Sequence, residues 1–323
     1  MEILLTGAAG FVGFHTAQRL LKDGHSVFGV DNLNDYYPVT LKLARLAILN
    51  RHPNFSFHKL NLFETGALEK ALGKMQITHI LHLAAQAGVR YSLQNPHSYI
   101  QSNVMGHLNI LEYARHSDTV EHVAYASSSS VYGEREAGTG FKETDQVRSP
   151  ASLYAATKLS GEMLSESYAR LYGIPQTGLR FFTVYGPWGR PDMAYWIFTE
   201  KILAGDPITL FAPELMKRDF TYIDDITDVL PSILRRPAKN HEIYNLGNSS
   251  PNSLYELVHS VEAACGRKAD KIIEPQQAGD VQQTYADISA ARSAFGFAPR
   301  TELKTGISRF VDWYQDWRSN SLN

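Results

Sequence analysis

The sequence predicts an α/β protein, with a doubly wound parallel sheet followed by a smaller mixed α/β C-terminal domain. Short apolar runs alternate with amphipathic segments through the first half of the chain. This alternation is typical of parallel strands joined by helical crossovers. A glycine-rich turn follows the first apolar run, and after Phe182 the elements become shorter and the loops more frequent. We therefore expect a domain boundary close to Phe182.

The predicted elements follow a regular order. Strands are expected over residues 3–5, 26–30, 55–60, 80–83, 123–125 and 176–182. Helices are expected over residues 11–22, 63–72, 98–115, 151–172, 253–265 and 303–317. The domains are accordingly expected at 1–182 and 183–323, and the segment around 221–247 is expected to pack back on the first domain.

The composition is that of an ordinary globular protein. The 323 residues include 31 Lys+Arg and 33 Asp+Glu, for a formal net charge of −2. This balance favours neither a nucleic acid nor a membrane surface as partner. Cys265 is the only cysteine, so we expect no disulfide framework, no zinc site of paired cysteines and no other metal. No apolar run is long enough to cross a bilayer, and we expect no leader before the first strand. The expected location is therefore cytoplasmic.

The first motif is the glycine-rich turn, with Gly7, Gly10 and Gly13 spaced three residues apart. Phe11 and Val12 open the helix behind it. Glycines let the backbone turn tightly and approach a pyrophosphate, which then lies at the positive end of the helix. A plain strand–helix turn is the alternative. The position between a strand and a helix favours dinucleotide binding.

Asp31 ends the second predicted strand. An acidic side chain at this point can accept hydrogen bonds from the adenosine ribose hydroxyls, and it repels the 2′-phosphate of NADP. The alternative is a solvated acid at a strand end. Position and context together favour NAD as the cofactor.

Tyr154 and Lys158 form the second motif, four residues apart on a predicted helix and so on one face of it. A phenol with its ordinary pKa near 10 is a poor base, but a nearby ammonium favours the phenolate. The serine run 127–130 ends a predicted strand, where the ligand crevice of a parallel sheet lies. Taken alone, the Tyr154–Lys158 pair could be an ordinary amphipathic pair, and the serine run could be a polar loop. Together the two motifs favour an enzyme.

In this order the motifs resemble those of the extended short-chain dehydrogenase/reductases of the nucleotide-sugar epimerase type, from residue 1 to about 317. The resemblance implies bound NAD, a UDP-sugar substrate, and a homodimer built on helices near 98–115 and 151–172. The residues it implies at the cofactor are Gly7, Gly10, Phe11, Val12, Gly13, Asp31, Asn32, Asn61, Leu62, Leu83, Ala84, Ala85, Asn103, Tyr154 and Lys158.

Three longer stretches, 31–37, 85–92 and 180–193, resemble the branch of this family that acts on UDP-glucuronate. The resemblance implies that Thr183 and Arg190 hold the sugar carboxylate, which suits a hydroxyl and a guanidinium. The alternative is that Arg190 merely pairs with a neighbouring acid on a surface turn. The residues implied at the substrate are Arg90, Ser128, Ser129, Thr183, Arg190, Arg218 and Asp280, with Arg218 at the diphosphate.

The implied reaction interconverts UDP-glucuronate and UDP-galacturonate through a 4-keto sugar. Tyr154, Lys158, Ser128 and Ser129 are its implied catalytic residues. A UDP-glucuronate decarboxylase, a UDP-hexose 4-epimerase and a non-catalytic NAD-binding sensor remain alternatives. The UDP-glucuronate branch fits best, because a neutral hexose does not need Arg190 and a sensor has no use for a phenolate.

The chain also departs from its relatives at three points. Asn61 stands where many of them carry an aspartate that contacts adenine, and Gln277 stands where hexose epimerases often carry arginine. Ser129 and Ser130 replace the Asp-Glu pair with which sugar-nucleotide dehydratases expel water. Adenine and diphosphate recognition must therefore differ in detail, and dehydration lacks its acid and base.

Overall fold

The computed structural model describes residues 1–135, 138–236, 239–276 and 281–321. The chain folds into two compact units. The first unit consists of Met1–Gly133, Glu143–Phe181 and Thr227–Asn245. The second consists of Glu134–Lys142, Phe182–Ile226 and Leu246–Asn323. Each unit is therefore assembled from three separate stretches of chain.

The centre of the first unit is a seven-stranded sheet in the order β10-β6-β5-β4-β1-β2-β3. The pairs from β3 through β6 are parallel. This arrangement confirms the predicted doubly wound sheet. Its strands are β1 (Glu2–Thr6), β2 (Ser26–Asp31), β3 (Phe55–Lys59), β4 (His79–His82), β5 (His122–Ser128), β6 (Gln176–Phe181) and β10 (His241–Leu246).

The strand order reverses at β1, which lies between β2 and β4. Thr6 pairs with Val30 on one side and with His82 on the other, so the three strands end at the same level. In doubly wound sheets the crevice beyond such a reversal is where ligands bind. The fold thus brings the glycine turn, Asp31 and the segment after β4 to one edge.

Helices flank this sheet. Helix α7 is capped at its start by Ser152, whose hydroxyl accepts the Ala155 N–H at 3.1 Å, and at its end by Gly173 in the left-handed conformation. Such caps stabilise both helix ends. The helices are α1 (Phe11–Lys22), α2 (Val39–Leu49), α3 (Ala67–Leu72), α4 (Tyr91–Gln94), α5 (Pro96–Tyr99), α6 (Gly106–Arg115), α7 (Leu153–Tyr172) and α9 (Ile223–Arg235).

Two short turns are of other helical types. A π-helical turn (Ile100–Met105) joins α5 to α6, and a 3₁₀ turn (Ser129–Tyr132) follows β5. One cluster of the core consists of Leu4, Val30, Leu62, Leu68, Leu72, Ile77, Ile80, Ile110, Ala114, Val123 and Ile174.

The second unit contains two small sheets and four helices of its own among the described residues. A three-stranded sheet has the order β11-β9-β7, and β8 pairs with β12 in parallel. The strands are β7 (Thr183–Tyr185), β8 (Ile208–Phe211), β9 (Lys217–Tyr222), β11 (Pro251–Ser253) and β12 (Lys271–Glu274). The helices are α8 (Ala194–Ala204), α10 (Leu254–Cys265), α11 (Ser289–Phe295) and α12 (Leu303–Ser321).

None of the helices in the described ranges is both long enough and apolar enough to cross a membrane.

Candidate active site

The glycine-rich turn closes tightly between β1 and α1. Gly7 has φ +71°, and its carbonyl oxygen accepts the Gly10 N–H at 2.9 Å. A Cβ on Gly13 would lie 2.0 Å from that same oxygen, so only glycine lets α1 approach the turn. Within the described chain no side chain caps α1. Its first N–H groups therefore point out of the helix toward the crevice, as an anion site requires.

Asp31 ties the end of β2 to this turn. Its carboxylate accepts the Ala9 N–H at 3.2 Å and the Leu33 N–H at 2.8 Å. Leu33 is in the left-handed region, with φ +56°. The acid thus shapes the β2 loop and lies beside the turn, where an adenosine ribose belongs if the turn holds a pyrophosphate.

Asn32 and Asn61 meet at the ends of neighbouring strands. The Asn32 amide donates to Asn61 Oδ1 at 3.0 Å, and the Asn61 amide donates to Glu64 at 2.9 Å. Asn32 also lines a polar cavity of about 170 Å³, together with Asn34 and Gln86. Asn61 therefore presents an amide oriented by its neighbours. Leu62, beside it, is buried in the core.

The segment after β4 is held against the first strand. The Leu83 N–H donates to the Thr6 carbonyl at 3.2 Å, and the Ala84 N–H donates to the Thr6 hydroxyl at 3.1 Å. The backbone of Ala84 also lies only 2.8 Å from where a Cβ on Gly7 would be. Because Gly7 has no side chain, Ala84 and then Ala85 can pass directly over the glycine turn.

Asn103 lies in the π-helical turn and is fully engaged by protein groups. Its Oδ1 accepts the Gln86 N–H at 2.7 Å, and its amide donates to the Gln86 carbonyl and to the Thr157 hydroxyl, each at 3.0 Å. It therefore connects the segment after β4 to the helix that carries Tyr154 and Lys158. This positioning contact was not predicted, since no local pattern links the three residues.

Lys158 is buried beneath the strand that ends in the serine run. Its ammonium donates to the Ala126 carbonyl at 3.0 Å, and burial lowers its pKa to about 8. Burial also lowers the pKa of His82 well below its ordinary value, with His107 and Lys158 adding to the shift. The imidazole rings nearby are thus neutral at pH 7, and Lys158 supplies the positive charge.

Tyr154 lies one turn before Lys158 on α7, on the same face. Its ring packs edge-on against Tyr99, with centroids 6.2 Å apart.

At the end of β5, Ser128 Oγ accepts the Ser130 N–H at 3.2 Å and the Ser130 hydroxyl at 2.9 Å. Ser129 begins the 3₁₀ turn that follows. Since Ser128 Oγ is the acceptor in both hydrogen bonds, its own O–H can donate to a bound group, such as a sugar oxygen.

A buried ion pair supports this part of the site and was not predicted. Arg180 donates to both carboxylate oxygens of Glu162, at 2.9 and 2.8 Å, and Ser127 donates to the same carboxylate at 2.5 Å. Glu162 lies one turn beyond Lys158 on α7. The four-residue spacing between Lys158 and Glu162 could have suggested that Glu162 lies on the same face of α7. Its pairing with Arg180 of β6 could not be predicted, because no local pattern links the two residues.

In the second unit, Arg218 lies on β9 opposite Asn252. Its guanidinium donates to the carbonyls of Lys217 and Gln282, each at 3.0 Å. The next residue, Asp219, is fully buried, and its carboxylate accepts the backbone N–H groups of Asn248, Ser249 and Ala286 at 2.6, 3.0 and 2.9 Å. Burial raises the pKa of Asp219 to about 6 in spite of these donors. The carboxylate organises the loops around Arg218.

Thr183 and Arg190 also belong to the second unit. Thr183 begins β7 and pairs with Phe220. Arg190 forms a two-point ion pair with Asp192, whose Oδ1 lies 3.0 Å from Nε. Pairing with a neighbouring acid was the alternative role predicted for Arg190, and the structure contains this ion pair. Its geometry is that of a guanidinium recognising a carboxylate.

The remaining predicted residues need only brief mention. Arg90 is exposed at the start of α4. Phe11 is buried at the start of α1, and Val12 follows it. Asp280 and Gln277 lie outside the described residues. Among the described residues, no group of three His, Cys, Asp or Glu side chains is placed to hold a metal ion.

Two sequence comparisons show which proteins this chain resembles. The model of the NAD dependent epimerase/dehydratase family matches residues 3–247. The chain is 45% identical over 330 residues to UDP-glucuronate 4-epimerase 1 of Arabidopsis thaliana, covering 97% of this chain and 76% of that protein. It is also 44% identical to protein CapI of Staphylococcus aureus, covering 98% and 99% of the two chains.

The fold agrees as well. UDP-glucuronic acid 4-epimerase of Bacillus cereus, solved in complex with UDP-glucuronic acid and NAD, superposes with a TM-score of 0.92. That chain is 35% identical to this one, and the match covers 98% of this chain and 100% of that chain.

Proposed function

The chain belongs to the NAD dependent epimerase/dehydratase family, and from this premise we propose that it interconverts UDP-glucuronate and UDP-galacturonate by epimerising C4. The observation that carries the proposal is its likeness, over nearly the whole chain, to an enzyme solved with UDP-glucuronic acid and NAD. Tyr154, Lys158 and Ser128 are the residues to which we assign this chemistry. It is an NAD-dependent nucleotide-sugar 4-epimerase.

The cofactor fits the edge of the first unit. The glycine turn, with the N-terminus of α1 behind it, suits a pyrophosphate, and Asp31 suits the adenosine ribose. When bound, NAD supplies a transient oxidation of C4 by accepting a hydride and later returning it. Because Asp31 repels a 2′-phosphate, the cofactor is NAD rather than NADP.

Tyr154 is the proposed proton acceptor. As a phenolate it takes the proton of the C4 hydroxyl, and it returns that proton when the opposite configuration forms. Lys158 keeps the phenolate favourable by its charge and is itself held by the Ala126 carbonyl. Ser128 donates to the same sugar oxygen, and Ser129 lies next to it. The contribution of these groups is orientation and charge placement.

The second unit supplies the proposed contacts to the substrate's charges. Arg218 contacts the diphosphate, while Thr183 and Arg190 hold the sugar carboxylate. A 4-keto uronic acid is a β-keto acid, and it loses CO₂ fastest when its C5–carboxylate bond is perpendicular to the carbonyl plane. Holding the carboxylate away from that alignment therefore separates epimerisation from decarboxylation.

We further propose that the enzyme is a cytoplasmic homodimer. Large apolar side chains are exposed along the helical segments from α4 to α7, which supports a partner subunit on these segments. They are Leu93, Ile100, Met105, Met163, Leu171 and Tyr172. Light scattering on Met163→Glu beside the parent tests the dimer: the variant should shift to the monomer mass. Cell fractionation tests the location.

The reaction itself is best tested in reverse. Given UDP-galacturonate, the purified protein should produce UDP-glucuronate, because epimerisation runs in both directions. A UDP-glucuronate decarboxylase would not accumulate UDP-glucuronate from UDP-galacturonate, because decarboxylation removes the carboxylate as CO₂. A hexose-specific enzyme would leave UDP-galacturonate unchanged. Failure to convert UDP-galacturonate under conditions that retain NAD would contradict the proposal.

A further inference from the structure

The segment 186–192, here called the Arg190 loop, contains one residue whose backbone conformation demands a cause. Trp188 has φ +57°, in the left-handed region. For a bulky side chain this conformation is a clear outlier, and it persists only where the surroundings impose it. Glycine would be the ordinary residue at such a point. The indole must therefore contribute something that outweighs its backbone strain.

The indole of Trp188 packs on the C-terminal helix α12. Its ring centroid lies 5.1 Å from that of Trp313 and 5.1 Å from that of Trp317. These two α12 rings stack on each other at 6.1 Å. Trp313 also contacts Trp196 of α8 at 5.5 Å, so the anchor extends into a larger aromatic cluster. Aromatic contacts of this kind fix both the position and the direction of a side chain.

The rest of the loop is fixed at close range. A Cβ on Gly189 would lie 1.9 Å from the Tyr195 hydroxyl oxygen, so the backbone there lies directly on α8. Gly186 has φ +147°, and a Cβ on it would lie 2.6 Å from the Ile223 side chain. These contacts and the ion pair with Asp192 fix the backbone position of Arg190 and the direction in which its side chain extends.

We propose that Trp188, anchored on Trp313 and Trp317, is a positioning residue that sets Arg190 for the sugar carboxylate. The inference rests on the proposed function, because it assigns Arg190 to that carboxylate. Without the anchor, residue 188 relaxes toward negative φ and the direction of the following residues changes. Selectivity for a uronic acid over a neutral sugar is therefore controlled from α12.

The test compares Trp317→Leu with the parent. Trp317 is half-buried near the end of α12, so its replacement removes the outer part of the anchor, and circular dichroism of the variant checks that the fold is retained. The readout is the ratio of dissociation constants for UDP-glucose and UDP-glucuronate, measured by calorimetry on the NAD-loaded protein. We expect this preference for the uronate to fall about five- to tenfold, on the scale of one weakened charge-assisted contact. The share of decarboxylated pentose product should rise with it.

Two further variants separate positioning from general stability. Tyr314→Leu removes an α12 ring that contacts Trp196 and Phe310, and it should lower the unfolding temperature while the binding ratio stays within about twofold. Trp188→Phe should keep most of the preference, whereas Trp188→Gly, which permits positive φ but lacks the ring, should lose it.

The proposal is overturned if Trp317→Leu and Trp188→Gly keep the parent's binding ratio, or if Tyr314→Leu lowers it equally. A parent that binds UDP-glucuronate selectively but forms no UDP-galacturonate would instead contradict the proposed reaction, because the binding ratio does not depend on turnover.

Discussion

Arg180 and Glu162 form a two-point ion pair inside the first unit, with Nε and Nη2 of the arginine 2.9 and 2.8 Å from the two carboxylate oxygens. Their side chains are only 2% and 0% exposed. The pair fixes α7 to β6, and Ser127 joins it from β5. The helix that carries Tyr154 and Lys158 is thereby fixed against the strand that ends at Ser128.

The first prediction concerns this pair. Glu162→Gln leaves a guanidinium buried without its counter-charge, which typically costs about 3–5 kcal/mol of stability. Urea unfolding of variant and parent measures the difference. Asp23→Asn at the end of α1 is the control: its ion pair with Arg19 is partly exposed, so the loss should be below about 1 kcal/mol. Equal losses in the two variants would contradict the structural role assigned to Glu162.

The second prediction concerns the proton acceptor. Tyr154→Phe removes the phenol while keeping the ring that packs on Tyr99. The turnover rate should fall by about 10²–10⁴, the usual contribution of a positioned general base. Tyr172→Phe, at the exposed end of the same helix, should leave the rate unchanged. Near-normal turnover by Tyr154→Phe with an intact fold would show that the proton takes another path.

The third prediction is a pH dependence of stability that arises from Lys158. Its folded-state pKa of about 8 lies below the ordinary value of about 10.4 expected in the unfolded chain. Between these values the unfolded state binds more protons, so this group's contribution to the free energy of unfolding rises with pH. The stability of the parent relative to Lys158→Met should therefore increase between about pH 8 and 10, and be constant below.

Urea unfolding at half-unit pH steps, at matched NAD occupancy, measures this difference. Its slope should not exceed about 1.4 kcal/mol per pH unit for a single titrating group. Parallel stability curves for parent and variant from pH 7 to 10 would mean that Lys158 titrates near its ordinary pKa and is not desolvated as the structure indicates.

The fourth prediction concerns the carboxylate. Arg190→Ala combined with Thr183→Val should leave C4 oxidation possible while freeing the carboxylate of the 4-keto acid. A loss of about 1.4 kcal/mol of restraint changes the partition tenfold, within reach of one charge-assisted hydrogen bond. Product analysis by NMR should show slower epimerisation and a larger share of UDP-pentose. Unchanged substrate affinity with no additional CO₂ would place the restraint on other residues.

Much of the first unit could be predicted from the sequence, because its signals are local. The helix predicted over 11–22 is confirmed as α1, and the strand predicted over 26–30 is confirmed as β2 with one further residue. Strand alternation with helices determines the fold class wherever both faces of the sheet are covered. Helices α2, α8, α9 and α11 were not predicted; α9 contains Pro231, which weakens a helical pattern.

What the sequence could not reveal depends on distant partners. The helix predicted over 98–115 is interrupted by the π-helical turn at Ile100–Met105, where Asn103 meets Gln86 and Thr157. A hydrophobic period cannot report a change of helical type inside one continuous element. The assignment of Glu134–Lys142 to the second unit likewise depends on a bridge between Phe141 and Ala286, far apart in the sequence.

The central claim, C4 epimerisation on a resident cofactor, is tested most directly by incubating the purified protein with UDP-glucuronate and no added nucleotide. The nucleotide released on denaturing the protein is identified in parallel. NMR should show UDP-galacturonate accumulating to a constant ratio without CO₂, and the released nucleotide should be NAD rather than NADP. UDP-pentose with CO₂ as the main product, or no conversion by protein that carries NAD, would contradict the account.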